Sequence, residues 1–253
     1  MTATSLRPGA AGTETLGETL RRLSGAQKGA KGAPAYSRFV NRKLGRLLAA
    51  VAFHARLTPN VVTGISACFT ATAIVLIAVL RPSWPMALAV TACLVVGYAF
   101  DAADGQLARL RGGGSPAGEW LDHMVDAAKT SSLHLAVLLN FYRSEAVGRG
   151  PWLLVPMGFA VVAAVLFFGT MLNEALRERH GAVTRASRTA ERPSILRSLL
   201  VVPTDYGLLC WVFVLLGAPV VFFSVYTALF AATAGYLLLA CLKWFREIGR
   251  LPR

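Results

Sequence analysis

The sequence predicts an all-α, polytopic membrane protein with six transmembrane helices. Hydrophobic residues make up 55% of its 253 residues and charged residues only 15%, a balance typical of proteins that lie in a bilayer rather than of soluble enzymes. Long apolar segments alternate with short stretches rich in proline, glycine or charge. These segments place the six helices near residues 60–80, 84–108, 119–142, 151–175, 200–217 and 220–243.

Basic residues indicate how the helices are oriented. Of the 26 lysines and arginines, 22 fall in segments that would lie on one side of the membrane if the chain starts there. Positive residues accumulate on the cytoplasmic side of membrane proteins. We therefore expect a protein of the cell membrane with both termini in the cytoplasm.

Charge and cysteine usage argue against a nucleic-acid-binding protein and against a protein with disulfide or redox chemistry. The net charge of +13 comes from residues that lie between apolar segments rather than on one basic domain, so the expected partner is a membrane surface and not a nucleic acid. The four cysteines all lie within apolar segments. They are interpreted as small hydrophobic residues without a disulfide or redox role.

The termini and the first helix complete the predicted organisation. Residues 1–35 have no apolar run and predict a disordered cytoplasmic tail without a cleaved signal peptide. Residues 36–56 predict an amphipathic interfacial helix, capped at Ser37 and ending near Ala55, with one apolar and one basic side. The six-helix membrane domain is assigned to 57–246, and 247–253 to a basic cytoplasmic tail.

Four aspartates lie beside apolar segments between residues 101 and 126: Asp101, Asp104, Asp122 and Asp126. Carboxylates at the edge of a hydrocarbon region are costly, which marks them as functional. Spacings of three and four residues put each pair on one helix face. Two such pairs facing each other would form an all-oxygen site for a hard divalent cation.

The residues around these aspartates follow the pattern D-x2-D-G-x2-A-R-x8-G-x3-D-x3-D, with every fixed position filled. This pattern resembles the signature of the CDP-alcohol phosphotransferases (CDP-alcohol phosphatidyltransferases). Members of that family are integral membrane enzymes that transfer a phosphoalcohol from a CDP-linked donor to an acceptor hydroxyl and release CMP. The resemblance covers roughly residues 36–245 and implies a homodimer, as in relatives.

The resemblance assigns roles to the pattern's residues. The four aspartates are implied to bind two Mg²⁺ or Mn²⁺ ions, and Asp126 is also implied to be the general base for the acceptor. Gly105 and Ala108 would leave room for the nucleotide, and Arg109 would bind the diphosphate. Gly118 would allow the third span to begin tightly against its neighbours.

Two further segments are implied to bind the nucleotide. Ser115 follows three glycines, and its counterpart in family members contacts the nucleotide. The run Thr58-Pro59-Asn60-Val61-Val62-Thr63 is similar to the segment that opens the first span in many relatives and lines the cytidine pocket. The side chains of Asn60 and Thr63 and the backbone at Val61 and Val62 are the expected contacts.

The substrates stay open at this stage. Ala127 stands where members that transfer inositol phosphate carry arginine, and His123 stands in place of the proline typical of members that transfer glycerol phosphate. The donor is CDP-diacylglycerol with a small polar acceptor, or a soluble CDP-alcohol of the CDP-inositol or CDP-choline type with a lipid or polyol acceptor. Contacts of His123, Asp205 and the arginines of 177–197 with the acceptor are also left open.

A membrane carrier that binds cations through its aspartates is the alternative from another class. It accounts for the apolar segments and the acids. It does not account for Gly105, Ala108, Arg109 and Gly118 at their fixed spacing, nor for acids at the membrane edge rather than at its midplane.

Overall fold

The computed structural model describes residues 14–25, 34–144, 148, 150–182 and 204–251, and this part of the chain is helical without strands. We number the α-helices α1 to α8 in chain order. They span Leu16–Gly25 (α1), Arg42–His54 (α2), Pro59–Val79 (α3), Trp84–Leu110 (α4), Pro116–Ser144 (α5), Leu154–Arg179 (α6), Tyr206–Val212 (α7) and Pro219–Ile248 (α8). A π-helical turn (Ser37–Asn41) precedes α2, and 3₁₀ turns precede α6 (Pro151–Leu153) and follow α7 (Phe213–Gly217).

Four of these helical segments are long and apolar enough to cross a membrane: Pro59–Val79, Trp84–Leu110, Pro151–Arg179 and Pro219–Ile248. Helix α5 has 29 residues, but charged and polar side chains interrupt its apolar character. The segment Tyr206–Gly217 is apolar and shorter. Within the described residues, each predicted span overlaps a helical segment, and four of these segments have the length and composition of a membrane span.

Local chemistry explains where the first two spanning helices begin. The hydroxyl of Thr58 accepts from the backbone N–H of Val61 at 3.3 Å, and Pro59 occupies the first turn of α3. Ser83 caps α4 in the same way through the N–H of Met86. Side-chain acceptors satisfy N–H groups that have no partner within a helix, and proline is favoured where no N–H is needed.

The helix before α2 begins differently from the prediction. Ser37 is not its cap, because the chain is already helical at Tyr36. The N–H groups of Tyr36 and Ser37 instead donate to Oδ2 of Asp205, at 2.8 and 3.4 Å. A carboxylate distant in sequence therefore satisfies donors that we had expected a local hydroxyl to satisfy.

Two buried clusters hold the helices together. The larger lies among α3 to α8 and includes Leu94, Phe141, Phe213 and Tyr226. The smaller joins α2 to α3 and α4 through Ala49, Phe53, Val62 and Leu107. In it α2 approaches α4 closely, since a Cβ at Gly45 would lie 2.8 Å from the Cβ of Ala102. This contact places α2 beside the cytoplasmic end predicted for α4.

Helix α1 lies within the tail expected to be disordered, so the structure differs from that expectation over these ten residues. Thr15 and Glu18 form a reciprocal cap: the carboxylate of Glu18 accepts from the N–H of Thr15 at 2.7 Å, and the N–H of Glu18 donates to the hydroxyl of Thr15 at 3.3 Å. Leu23 is buried in the smaller cluster, and Thr19 Oγ1 lies 3.1 Å from His54 Nε2. A capping box and one apolar stripe are therefore enough to order this segment against α2.

Candidate active site

A glycine turn joins α4 to α5 and sets the two pairs of aspartates opposite each other. Gly112 and Gly113 have φ values of 95° and 132°, a conformation that residues with a Cβ rarely adopt. The N–H of Gly113 donates to the carbonyl oxygen of Ala108 at 3.0 Å, which closes the end of α4. The chain thereby reverses within a few residues, and the end of α4 lies beside the start of α5.

Lys129 connects the two aspartate pairs. Its Nζ lies 2.7 Å from Oδ1 of Asp101 on α4 and 2.6 Å from Oδ1 of Asp126 on α5. The lysine side chain is only 10% exposed, so its charge compensates two carboxylates that would otherwise repel each other at the membrane edge. The sequence analysis gave Lys129 no role. The available signal was a lone cation in an apolar segment, one helical turn after Asp126.

Asp104 is the most enclosed of the four aspartates, and its carboxylate has two donors. The hydroxyl of Thr63 donates to Oδ2 at 2.6 Å, and the N–H of Gly105 donates to Oδ1. Asp104 is also near enough to Asp101 and Asp122 to be affected by both of their charges. The start of α3 therefore orients a carboxylate of the aspartate cluster, as expected if Thr63 belongs to the site.

On α5, Asp122, His123 and Asp126 each present a ligand atom, and these atoms lie within 4.8 Å of one another. Together with the contacts of Asp101 and Asp104, this makes the four aspartates neighbours around one polar region. The chemistry of these donors fits Mg²⁺ or Mn²⁺, because both ions prefer carboxylate oxygens. His123 Nε2 lies 3.9 Å from Oε1 of Glu119 and is partly exposed.

The residues expected to contact the nucleotide converge on the same end of the protein. A Cβ at Gly118 would lie 3.0 Å from Oδ1 of Asn60 and 3.2 Å from Oγ of Ser115. The Oγ of Ser115 accepts from the N–H of Gly118 at 3.0 Å. The start of α3 thus lies against the start of α5, and glycine is what allows that approach. Of the adjacent valines, Val62 is buried and Val61 is about half exposed.

Arg109 lies one turn after Gly105, with Nη1 3.6 Å from the position of a Cβ on that glycine. It lines a cavity of about 190 Å³ together with Asp101, Gln106 and, from the region of α2, Asn41 and Arg42. The sequence analysis did not single out Arg42 as a site residue. Its proximity depends on how α2 packs across α4, which no local pattern encodes.

Asp205 is 1% exposed and acts as a helix cap. Besides the N–H groups before α2, its carboxylate accepts from the N–H of Gly207 at 3.0 Å. Of the basic stretch 177–197, Arg177 forms an ion pair with Glu247, and the arginines beyond residue 182 lie outside the described residues. The structure thus shows Asp205 as a cap, and its contact with the acceptor stays a prediction.

Comparison with known families identifies the class of this protein. The family model for CDP-alcohol phosphatidyltransferases matches residues 56–240, which is most of the chain and includes every residue of the aspartate pattern. The chain therefore belongs to the CDP-alcohol phosphatidyltransferase family, whose members are transferases of substituted phosphate groups in phospholipid biosynthesis. A search of curated proteins gave no significant match.

Proposed function

We propose that this protein is a metal-dependent transferase that moves a phosphoalcohol from a CDP-alcohol to an acceptor hydroxyl and releases CMP. The observation that carries this proposal is the convergence of the four aspartates with Asn60, Thr63, Ser115 and Gly118 at one end of α3, α4 and α5. A cation carrier would need the carboxylates but not the close approach of Asn60 to Gly118. Membership of the family supports the same reaction.

In the proposed mechanism, Asp101, Asp104, Asp122 and Asp126 hold two Mg²⁺ or Mn²⁺ ions. When bound, such ions neutralise charge on the diphosphate and favour in-line displacement at phosphorus. Thr63 keeps the carboxylate of Asp104 oriented through its 2.6 Å hydrogen bond. Lys129, which pairs with Asp101 and Asp126, would supply a further positive charge beside the ions.

The remaining residues position the substrates. Asp126 accepts the proton of the acceptor hydroxyl as it attacks the β-phosphorus. Arg109 binds the diphosphate, and Gly105 and Ala108 leave the face of α4 open to it. Asn60, the backbone at Val61 and Val62, Ser115 and Gly118 enclose the cytidine moiety. These assignments follow the resemblance and are supported by the proximities within the cluster.

We propose CDP-diacylglycerol as the donor, so that the transferred group is phosphatidyl. A second candidate is a soluble CDP-alcohol with a lipid acceptor. It is favoured by an apolar cavity that Asp126 lines between α5 and α6. The two candidates differ in which substrate carries the hydrocarbon chain.

We further propose six membrane spans, formed by α3, α4, α5, α6, the segment around α7, and α8. The apolar side chains of Val40, Leu44, Leu47 and Val51 recur at helical spacing along α2 and its preceding turn, and they are exposed, which supports an interfacial position for this helix. The domain division given above, a cytoplasmic active site in the cell membrane and a homodimer complete the proposal.

Release of CMP by the purified protein in lipid nanodiscs tests this function. Mg²⁺ and either CDP-diacylglycerol or a panel of soluble CDP-alcohols are supplied, each with and without candidate acceptors. We expect acceptor-dependent CMP from one donor class, and a loss of about 10²- to 10⁴-fold in Asp126→Asn, because a positioned general base contributes a factor of that order. Glu119→Gln, which removes an exposed carboxylate of the same helix, is the matched control. No CMP from any combination, with cation flux in the same protein reconstituted into vesicles, would instead establish a carrier.

A further inference from the structure

A second cavity, of about 330 Å³, lies between α5, α6, α7 and α8 and has Asp126 in its wall. Its volume lies within the range of small-molecule sites. The nucleotide side of the aspartate cluster is built by α3, α4 and the start of α5, and none of the residues expected to bind the nucleotide lines this cavity. The cavity therefore reaches Asp126 from a different side than the expected binding site of the donor does.

The cavity follows the axis of the helices. On α5 its lining runs from Asp126 through Thr130 to His134, a spacing of four that keeps these residues on one helix face. Eight residues of α-helix extend about 12 Å. The ring of His134 stacks on Phe159 of α6, with ring centroids 4.0 Å apart. Because α6 runs antiparallel to α5, the residues that lie further along α6 return towards Asp126.

The two ends of the cavity differ in chemistry. Besides Asp126, the polar part of the lining includes the hydroxyl groups of Thr130, Thr170 and Thr204 and the carboxylate of Asp205, which already accepts from backbone N–H groups. Towards His134 the lining is formed mainly by apolar side chains, among them Phe159, Ala163 and Leu229. His134 Nδ1 lies 2.6 Å from the hydroxyl of Tyr226, and both residues are buried. The polar atoms at this end thus bond to each other and leave an apolar surface to the cavity.

We propose that this cavity binds the acceptor, and that the acceptor is an alcohol with an apolar tail. Its hydroxyl lies at Asp126 and its hydrocarbon chain extends between α5 and α6 towards Phe159. Among the described residues that line the cavity there is no lysine or arginine, and the neighbouring Lys129 is already paired with Asp101 and Asp126. The cavity therefore suits a neutral alcohol better than an acceptor that carries a phosphate. The inference rests on the proposed function, because it takes Asp126 as the base, and it favours the second candidate donor, a soluble CDP-alcohol.

The reaction balances without any further reactant. The proton of the acceptor hydroxyl passes to the carboxylate of Asp126, and the oxygen forms a bond to the β-phosphorus of the CDP-alcohol. The bond from that phosphorus to the oxygen bridging to the α-phosphate breaks, and CMP leaves with the electron pair. The product is a phosphodiester that joins the donor alcohol to the apolar alcohol.

Photolabelling with a long-chain primary alcohol that carries a diazirine tests occupancy independently of turnover. The protein is labelled in nanodiscs, digested and mapped by mass spectrometry. We expect label on α6 peptides around Ala163 that unlabelled dodecanol competes away and inositol or glycerol 3-phosphate does not. Protection by CDP-diacylglycerol but not by dodecanol would assign the cavity to the donor's acyl chain and overturn the proposal. Label that no alcohol displaces would indicate membrane lipid and overturn it as well.

Ala163→Leu places a larger side chain in the cavity, and Ala164→Leu, at the next position outside the lining, is its matched control. We expect Ala163→Leu to raise the apparent KM for a long-chain alcohol about tenfold or more, with the KM for the CDP-alcohol unchanged and with weaker photolabelling. An equal effect of both variants would overturn the proposal, as would a preference of the wild type for inositol or glycerol 3-phosphate.

The outcomes separate this inference from the proposed function. If CMP is formed with a polar acceptor and the alcohol probe does not label α6, only the inference fails. If no donor and acceptor pair yields CMP although the probe labels the cavity and dodecanol displaces it, the transferase assignment fails and the cavity remains a binding site for apolar alcohols.

Discussion

The two sides of Asp126 are built in different ways. On one side, α3, α4 and the start of α5 contribute short polar or small residues: the hydroxyl of Thr63 donates to Asp104 at 2.6 Å, and the N–H of Gly118 donates to the hydroxyl of Ser115 at 3.0 Å. On the other side, α5, α6 and α8 contribute mostly long apolar side chains around a cavity of about 330 Å³. The difference indicates that the first side is shaped to hold charged groups in one geometry, and the second to accommodate a chain.

Substitutions on the two sides of Asp126 are also expected to have different effects. Within the aspartate cluster each charge depends on its neighbours, so the loss of one partner leaves another charge uncompensated. In the cavity, an altered apolar side chain such as Phe159, Ala163 or Leu229 changes volume but leaves no polar group unsatisfied. We therefore expect substitutions on the first side to act through stability and metal binding, and those on the second through acceptor selectivity.

The largest effect on stability is expected for Lys129→Met, which removes the ammonium between Asp101 and Asp126. Without metal, the folded protein should lose about 3 kcal/mol, because two partly buried carboxylates are left to repel each other. Thermal unfolding in nanodiscs with a chelator measures the loss, and added Mn²⁺ should raise the Tm of the variant more than that of the wild type.

Lys243→Met is the matched control for that experiment. Lys243 pairs with Glu247 at 3.6 Å but is 57% exposed, and such surface pairs contribute little. If both lysine variants unfold at the same temperature in chelator, the cluster does not depend on Lys129 and the contrast between the two sides of Asp126 weakens.

Thr63→Val should weaken Mn²⁺ binding by about 10- to 100-fold, because it removes the hydroxyl that orients the carboxylate of Asp104. Titration followed by electron paramagnetic resonance measures this affinity directly. Thr72→Val is the control, since the hydroxyl of Thr72 bonds only to the carbonyl oxygen of Cys68 within its own exposed helical turn. Equal Mn²⁺ affinity in the wild type and in Thr63→Val would indicate that Asp104 is not a metal ligand.

Gly118→Ala should raise the KM for the donor about tenfold, since its Cβ would displace Asn60 or Ser115 by a few tenths of an ångström. Steady-state CMP release at a fixed acceptor concentration measures the change. Gly235→Ala, where no atom lies within 4 Å of the added Cβ, should leave the KM unchanged. A rise in the KM for the acceptor alone would instead indicate that Gly118 lies on the acceptor side of Asp126.

Helix α1 packs mainly on α2 and contributes no residue to the aspartate cluster or to the lining of the larger cavity, and its pH dependence should be the smallest effect. Hydrogen bonds from the backbone N–H and the hydroxyl of Thr15 lower the pKa of Glu18. Because the pKa is lowered in the folded protein, the ionised carboxylate of Glu18 stabilises the folded form at pH values above its ordinary pKa. This stabilisation is lost as the pH falls through the lowered pKa. Amide protection of α1, corrected for intrinsic exchange, should therefore decrease on acidification from about pH 6 to below about pH 4. In Glu18→Ala, the amide protection of α1 should be low at both pH values. If the protection in this variant still depended on pH, the assignment to Glu18 would be contradicted.

The sequence predicted what local chemistry determines. Thr58-Pro59 marked the start of α3, and the spacing of the aspartates placed them on facing helices. The resemblance to the family also singled out Thr63, Ser115 and Gly118, which the structure brings into the same region. In each case a cap, a helix period or a fixed spacing carries the information.

Residues whose positions depend on contacts between distant segments were missed. Arg42 reaches the site because α2 crosses α4 at Gly45, and the cap before α2 comes from Asp205 rather than Ser37. The cavity is lined by residues from 126 to 233 and has no local pattern. Helix α1 is a different case, because its signal, the Thr15–Glu18 capping box, is local and present in the sequence but was not recognised.

The glycine turn between α4 and α5 also has a consequence for the order of synthesis. All four aspartates lie within 26 consecutive residues, so their assembly requires contacts of short sequence separation, which form readily. The cavity on the other side needs α8, more than 90 residues later in the chain. We therefore expect the four aspartates to come together during synthesis before α8, which completes the cavity, has been made. Lys129 would partly neutralise the aspartates in that intermediate.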